Sequence, residues 1–198
     1  MDYFDDTLKT NILLSLIGIS MNTTMPIINR IELYYHIHQL DTRFDKKIPV
    51  KVYFVIPYLA YFPYLFGGWT YLGLSKSDNF MEFVFSMGVM GLITGLVNLI
   101  FPTRAPRAYI YGKNVFSRLI KWHYSLNRPL TAFPSLHVAH AICLTIFFVM
   151  EVPELTAFWI ALPVLIALST LFTKEHYVLD VVGGIVLGLA VPVVFLAL

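Results

Sequence analysis

Six stretches of the sequence are apolar over lengths close to the thickness of a lipid bilayer. A helix that crosses a bilayer needs about 20 apolar residues. Inside the bilayer every backbone polar group must be hydrogen-bonded within the protein, so such stretches fold as α-helices. The segments are 11–28, 50–74, 80–101, 135–152, 155–173 and 177–198. The sequence therefore predicts an all-α, multi-pass membrane protein with a bundle of six transmembrane helices.

The composition agrees with this class of protein. Hydrophobic residues make up 58% of the chain and charged residues 13%, whereas a soluble domain is about half apolar and a quarter charged. The sequence contains no internal repeat, low-complexity tract or linker, which predicts a single domain over 1–198.

The first, third and sixth segments differ from simple apolar helices in their composition. The first segment is the least apolar because Asn22 and Pro26 interrupt it, so a helix lying along the membrane surface is an alternative there. The third and sixth segments carry glycines at spacings that let helix backbones approach closely in lipid. We interpret these glycines as packing residues: Gly88, Gly91, Gly95, Gly183, Gly184 and Gly188.

The loop at 29–49 mixes acidic and basic residues and is typical of a solvated connection. His36 and His38 lie close together there and form a candidate metal-binding pair. However, no carboxylate or thiolate stands beside them at ligand spacing. We therefore predict no metal at this loop.

The loop at 102–134 is strongly basic and contains no Asp or Glu. Its middle, "NVFSRLIKWHY", alternates apolar and basic residues as a helix in the membrane interface does. Attraction to anionic lipid head groups and a pocket for a phosphorylated substrate both account for this charge, and the two are compatible. The basic residues are Arg104, Arg107, Lys113, Arg118, Lys121 and Arg128.

Two histidines begin apolar segments that start on the same face of the predicted bundle. His137 opens the fourth segment and His176 the sixth, and Asp180 follows His176 by four residues. On a helix, that spacing places His176 and Asp180 on one face, one turn apart. A carboxylate so placed orients an imidazole and stabilises its charged form, as a nucleophilic or general-base histidine requires. A structural His–Asp pair that tethers two helices is the alternative.

The start of the fourth segment is a predicted anion site. Proline suits the first turn of a helix, so Pro134 predicts unpaired, outward-pointing N–H groups at Ser135 and the two residues after it. The Ser135 hydroxyl adds a donor. Histidines, a carboxylate, a helix N-terminus and arginines together suit phosphoryl transfer. The main rival is a metal site with ligands from His137, His140, His176 and Asp180, although the surrounding arginines would repel a cation.

At these residues the sequence resembles the type 2 phosphatidic acid phosphatase superfamily. The three motifs of that superfamily are Lys-x6-Arg-Pro, Pro-Ser-Gly-His and Ser-Arg-x5-His-x3-Asp. The matching stretches are "KWHYSLNRP" at 121–129, "PSLH" at 134–137 and "STLFTKEHYVLD" at 169–180. The resemblance covers the third to sixth segments.

The resemblance implies a role for each matched residue. His176 is the nucleophile that forms a phosphohistidine, Asp180 orients it, and His137 protonates the leaving alcohol. It also implies a six-helix bundle with the site near one membrane face, and no metal or other cofactor.

Two residues depart from the motifs. Leu136 replaces the glycine of the second motif, which is similar to the branch that contains inositol phosphorylceramide synthases and many bacterial relatives. Thr170 replaces the arginine of the third motif, so another residue must supply one phosphate contact, and Lys174 is a candidate.

The first motif has two possible locations. Besides Lys121 and Arg128 in "KWHYSLNRP", the stretch "FPTRAPR" at 101–107 ends the third segment, where the first motif of the superfamily usually falls. Both sets are candidate phosphate ligands: Arg107, which we favour, and Arg104, or Lys121 and Arg128.

The sequence-based hypothesis is a metal-independent lipid phosphatase in the cell membrane that hydrolyses a phosphomonoester or pyrophosphate of a membrane lipid. The alternative is a phosphotransferase that moves a phospho-headgroup to an alcohol, and a non-catalytic lipid-binding protein is a third reading. The expected partners are the phosphorylated lipid and membrane lipids, not nucleic acid. The positive-inside rule predicts a cytoplasmic site, whereas the resemblance implies the opposite face more often.

Overall fold

The computed structural model describes residues 2–22, 27, 37–126 and 128–198. Regular structure within these residues is helical, apart from two isolated β-bridges, so the predicted all-α class is confirmed. Short 3-10 turns at Val52–Phe54 and Pro153–Leu155 precede two of the helices. The α-helices are α1 (Asp2–Asn22), α2 (Val55–Ser75), α3 (Phe80–Ile100), α4 (Val115–Leu126), α5 (Leu136–Glu151), α6 (Thr156–Phe172) and α7 (Val178–Leu196).

Each predicted apolar segment contains a helix. For the last five segments the observed helices begin and end within a few residues of the predicted bounds, except that α2 begins at Val55 rather than at residue 50. The first helix begins earlier than predicted, at Asp2, and ends at Asn22. Of the predicted segment beyond Asn22, only Ile27 lies within the described residues. The predicted interfacial helix corresponds to α4, whose buried face carries Ser117, Ile120 and His123.

Three of the described helices are long and apolar enough to cross a membrane: α3, α6 with its preceding 3-10 turn, and α7. The α5 helix is apolar but has only 16 residues. The α1 and α2 helices have the required length, but α1 begins with several charged residues and α2 is rich in tyrosine. The protein is thus a membrane protein by its helices, while the count of six crossings stays a prediction.

The α5 helix packs against α2, α3, α6 and α7, which places the start of α5 among the other helices. Its closest approach is to α7, where glycine is required. A Cβ atom on Gly184 would lie 2.5 Å from the carbonyl oxygen of Ser135, and one on Gly188 would lie 2.6 Å from that of Ala139. Since real Cβ atoms do not approach so closely, these glycines allow α5 and α7 to touch through their backbones, as the sequence predicted.

The loop before α2 does more than connect helices. Asp45 is buried, and its carboxylate accepts hydrogen bonds from the backbone N–H of Thr42 at 2.7 Å and of Val178 at 2.8 Å. Val178 is the first residue of α7, so this loop caps the helix that follows His176. The prediction of an ordinary solvated loop is therefore wrong at Asp45.

Candidate active site

The two histidines predicted as site residues, His137 and His176, are in contact in the structure. His137, in the first turn of α5, places its Nδ1 3.3 Å from Nε2 of His176. The other ring nitrogen of His137, Nε2, lies 3.1 Å from the hydroxyl of Tyr58 on α2. One imidazole nitrogen of each histidine therefore faces the other, and Tyr58 fixes the orientation of the His137 ring.

Asp180 reaches His176 by a different route from the one predicted. His176 lies two residues before α7 and not on the helix, so the expectation of two side chains one helical turn apart is wrong. Instead, the Asp180 carboxylate accepts the N–H of Tyr177 at 2.8 Å and caps the helix. Its Oδ2 then lies 3.7 Å from Nδ1 of His176. This distance exceeds that of a hydrogen bond, so Asp180 is an electrostatic neighbour of the ring.

The backbone N–H of Ser135 is paired, which differs from the prediction for this residue. Its backbone N–H donates to the carbonyl oxygen of Asp180 at 2.9 Å, and its side chain is fully buried outside the cavity lining. The α5 helix begins at Leu136, two residues later than Pro134 suggested. The prediction of an outward-pointing N–H at Ser135 is wrong, because the bond to Asp180 joins the starts of α5 and α7.

Arg107 lies in the site, as we favoured from the sequence. One guanidinium nitrogen donates to the carbonyl oxygen of Tyr124 at 2.7 Å, and the other donates to Oε2 of Glu175 at 3.0 Å. The guanidinium also stacks over the Tyr124 ring, 4.6 Å from its centroid. Arg128, from the other candidate motif, lines the same cavity.

The remaining predicted cations lie elsewhere. Nζ of Lys121 donates to the carbonyl oxygen of Gly112 at 3.0 Å, and Nζ of Lys174 donates to that of Asp45 at 2.9 Å. Arg104 is exposed. None of these three side chains lines the cavity that contains the histidines.

Glu175 and His123 are site residues that the sequence reading missed. Oε1 of Glu175 lies 3.5 Å from Nε2 of His123, and both side chains are about nine-tenths buried. Two signals were present in the sequence. His123 follows Ser117 and Ile120 at the three-residue spacing of a buried helix face, and Glu175 stands directly before the predicted nucleophile.

Glu175 is ionised in this environment. Burial raises the pKa of its carboxyl group, but the neighbouring His123 and the charge of Arg107 outweigh this effect, and the pKa falls below its ordinary value. A buried carboxylate thus stands beside Arg107 in the site.

A cavity of about 580 Å³ connects these groups to an apolar surface. Its polar lining includes Arg107, His123, His137, Glu175 and His176. Its apolar lining runs along α2 from Phe62 to Trp69. Since Tyr58 contacts His137 and Trp69 lies eleven residues further along the helix, the apolar lining extends about 16 Å from the histidines. The shape suits an amphiphile with an anionic head and an apolar tail.

Two histidines that were candidate metal ligands, His140 and His38, lie in different parts of the structure. Nδ1 of His140, one turn further along α5 than His137, lies 3.0 Å from the hydroxyl of Tyr61. His38 stacks on Phe101 with ring centroids 4.0 Å apart, and His36 lies outside the described residues. Among the residues that the structure describes, no group of three or more His, Cys, Asp or Glu side chains is arranged to hold a metal ion.

The fold and the site define a class: a helical membrane protein in which two histidines at helix starts and an arginine from a loop line a cavity with an apolar extension. Residues 30–194 match the family model described as PAP2 superfamily, and the chain belongs to this family of type 2 phosphatidic acid phosphatases. The match includes every residue of the site described above.

One curated relative extends the comparison. The chain is 26% identical over 168 residues to the uncharacterized protein MJ0662 of Methanocaldococcus jannaschii, a stretch that covers 83% of this chain and 66% of that relative. The chain thus spans slightly less than two thirds of the length of this relative. No solved structure matches the chain.

Proposed function

We propose that this chain is a metal-independent lipid phosphatase, built as a single membrane-embedded domain over 1–198. It hydrolyses a phosphomonoester or pyrophosphate of a membrane lipid through a phosphohistidine on His176. Membership of the PAP2 superfamily supports phosphatase-type chemistry in general. The observation that carries the specific proposal is the 3.3 Å contact between His137 and His176 in a cavity with an apolar extension.

The first step uses His176 as the nucleophile. The phosphoryl group enters between the two histidines and replaces their mutual contact. Nε2 of His176 attacks phosphorus while the bond from phosphorus to the lipid oxygen breaks, and His137 donates a proton to that oxygen. Arg107 and Arg128, which line the cavity, meet the negative charge of the phosphoryl oxygens.

The second step regenerates the enzyme. His137, now neutral, accepts a proton from a water molecule as the water oxygen attacks phosphorus, and the bond between phosphorus and Nε2 breaks. Inorganic phosphate leaves, and His137 is again protonated for the next cycle. The negative charge of Asp180, 3.7 Å from His176, stabilises the positive charge that develops on this ring.

A phosphotransferase that passes a phospho-headgroup to an alcohol is the second candidate. The observation that favours it is Leu136, the residue that departs from the second motif, because its side chain lines the cavity. An alcohol would take the place of water in the second step, and the rest of the mechanism would be the same.

We further propose that the protein is a multi-pass protein of the cell membrane in which α1, α2 and α5 also cross the bilayer. Three helices already have the length and apolarity for this, and α1, α2 and α5 pack against them or against one another.

The decisive experiment is to trap the phosphoenzyme. Purified protein in detergent is incubated with a panel of ³²P-labelled lipid phosphates and pyrophosphates and quenched in alkali, in which phosphohistidine survives. We expect labelled protein and released phosphate with at least one lipid, and no label on the His176→Ala variant. Release of phosphate by the wild-type enzyme without any label on the protein would rule out this mechanism. Equal labelling of wild type and the variant would also rule it out.

A further inference from the structure

The carboxylate of Glu175 occupies the position at which Arg107 would otherwise meet an anion. Its Oε2 lies 3.0 Å from Nη2 of Arg107 and its Oε1 lies 3.5 Å from Nε2 of His123. Only 10% of the side chain is exposed, and the next residue in the chain is His176. Glu175 and His176 line the same cavity, so a phosphoryl group that reaches His176 shares that cavity with a fixed negative charge.

The positive charge of the cavity is correspondingly small. Apart from its histidines, the charged side chains among its described lining residues are Arg107, Arg128 and Glu175, two positive and one negative, which together contribute one net positive charge. Thr170, at the position of an arginine in the third motif, does not add to it. Its side chain is fully buried, and its hydroxyl donates to the carbonyl oxygen of Ala167 in the same helix.

We infer that Glu175 makes the site select a phosphoryl group with a single negative charge over one with two. This inference rests on the proposed function, since it concerns the substrate of the same site. Two substrate chemistries meet the requirement: a phosphodiester, and a phosphomonoester that keeps one proton. A doubly charged phosphomonoester would place its second charge near the Glu175 carboxylate, where the low polarity of the cavity strengthens repulsion.

The groups around Glu175 determine how the inference can be tested. His123 and Tyr124 face it from α4, Tyr58 from α2 and Arg107 from the loop after α3. His137 and His176 line the same cavity and take part in proton transfer and phosphoryl transfer in the proposed mechanism. A pH–rate profile alone therefore does not isolate Glu175. Comparison of two ligands at the same pH removes the contribution of the histidines.

The test uses binding of a long-chain alkylphosphonate and of its monomethyl ester to the intact protein in detergent. In both probes a carbon–phosphorus bond replaces the ester bond to the apolar chain, so neither probe can lose that chain by hydrolysis. At pH 9 the phosphonate carries two charges and the ester one. We expect wild type to bind the ester at least tenfold more tightly at pH 9, and the difference to shrink to under threefold at pH 5.5. Equal affinities at pH 9 would overturn the inference, even if no variant folds.

The variant Glu175→Gln keeps the size of the side chain and an oxygen that can accept from Arg107, but removes the charge. We expect it to reduce the preference at pH 9 to under threefold, mainly by tighter binding of the phosphonate. Glu154→Gln, at an exposed position after α5, is the matched control and should keep the wild-type preference. An unchanged preference in Glu175→Gln would contradict the inference.

Turnover distinguishes the two substrate chemistries. A diacylglycerol phosphomonoester is compared with its methyl phosphodiester at pH 5.5 and pH 8.5. Turnover of the phosphodiester at both pH values supports the inference. A ratio of kcat/KM for the phosphomonoester to kcat/KM for the phosphodiester that is at least tenfold higher at pH 5.5 than at pH 8.5 also supports it. An equally high kcat/KM for the phosphomonoester at pH 8.5 contradicts it. If neither lipid is turned over, the proposed function fails, while the phosphonate binding still decides the role of Glu175.

Discussion

The backbone N–H of Ser135 donates to the carbonyl oxygen of Asp180 at 2.9 Å, and this bond fixes the start of α5 against the start of α7. Each of these two helix starts carries one histidine of the site. His137 is the second residue of α5, and His176 is two residues before α7. The 3.3 Å distance between Nδ1 of His137 and Nε2 of His176 follows from this junction together with the close contact at Gly184.

Replacement of His176 by alanine removes the proposed nucleophile. We expect kcat to fall at least about 1000-fold, since the proposed covalent intermediate forms on this side chain. The measurement is phosphate release from the best lipid of the panel, with helical content and gel filtration as checks of folding. His38→Ala, an exposed histidine outside the cavity, is the control and should retain activity. A loss of less than tenfold for His176→Ala, under about 1.4 kcal/mol of transition-state stabilisation, would refute the assignment.

Arg107 and Lys121 offer a matched comparison of two candidates for the first motif. Arg107→Ala should lower kcat/KM about 100-fold, because a guanidinium in the cavity can hold phosphate oxygens with two hydrogen bonds. Lys121→Ala should change kcat/KM by less than threefold, because its Nζ donates to the carbonyl oxygen of Gly112 outside the cavity. Steady-state kinetics with one lipid substrate give both values. The reverse ranking would restore "KWHYSLNRP" as the working motif.

In the proposed mechanism the guanidinium groups of Arg107 and Arg128, which line the cavity, meet the charge of the phosphate. We therefore expect activity to survive exhaustive dialysis against a chelator within about twofold. The assay is repeated after addition of zinc, magnesium or manganese to the dialysed protein. A loss on chelation that one of these ions reverses would favour the rival metal site, with ligands from His137, His140, His176 and Asp180.

The helices and the two histidines of the candidate site were predictable because their signals are local. An apolar run of bilayer length specifies a helix, and spacing within the third motif identifies His176 and Asp180. The role of Asp180 was predicted for the wrong geometry, because the exact start of α7 depends on its capping by Tyr177 and Asp180. Glu175 was not predicted as a site residue, because its significance lies in contacts with Arg107 and His123, which are about 70 and 50 residues away in the sequence.

Asp45 shows the same dependence on distant contacts. Its carboxylate bonds the N–H of Val178, 133 residues away, and nothing in the sequence near Asp45 indicates that partner. Asp45→Ala should lower the free energy of unfolding by about 2 kcal/mol, since it leaves buried N–H groups without an acceptor. Thermal unfolding in detergent measures this against Asp41→Ala, an exposed control in the same loop. Equal melting temperatures for the two variants would show that the cap contributes little.

The last prediction concerns the acceptor of the phosphoryl group. Water and an alcohol can both resolve a phosphohistidine at His176, and what decides is whether the cavity holds an alcohol beside phosphorus and excludes water. The lining beyond the histidines is mainly apolar, with Phe62, Phe66 and Trp69 along α2, and offers few groups that could bind the hydroxyls of a polyol. We therefore expect hydrolysis to dominate, although Leu136 in the lining is the feature that favours transfer. Products of a labelled lipid are analysed with and without millimolar inositol or glycerol, and His176→Ala serves as the blank. Free phosphate should be the main product in both cases, whereas a labelled headgroup ester that grows with the acceptor while free phosphate falls would identify a phosphotransferase.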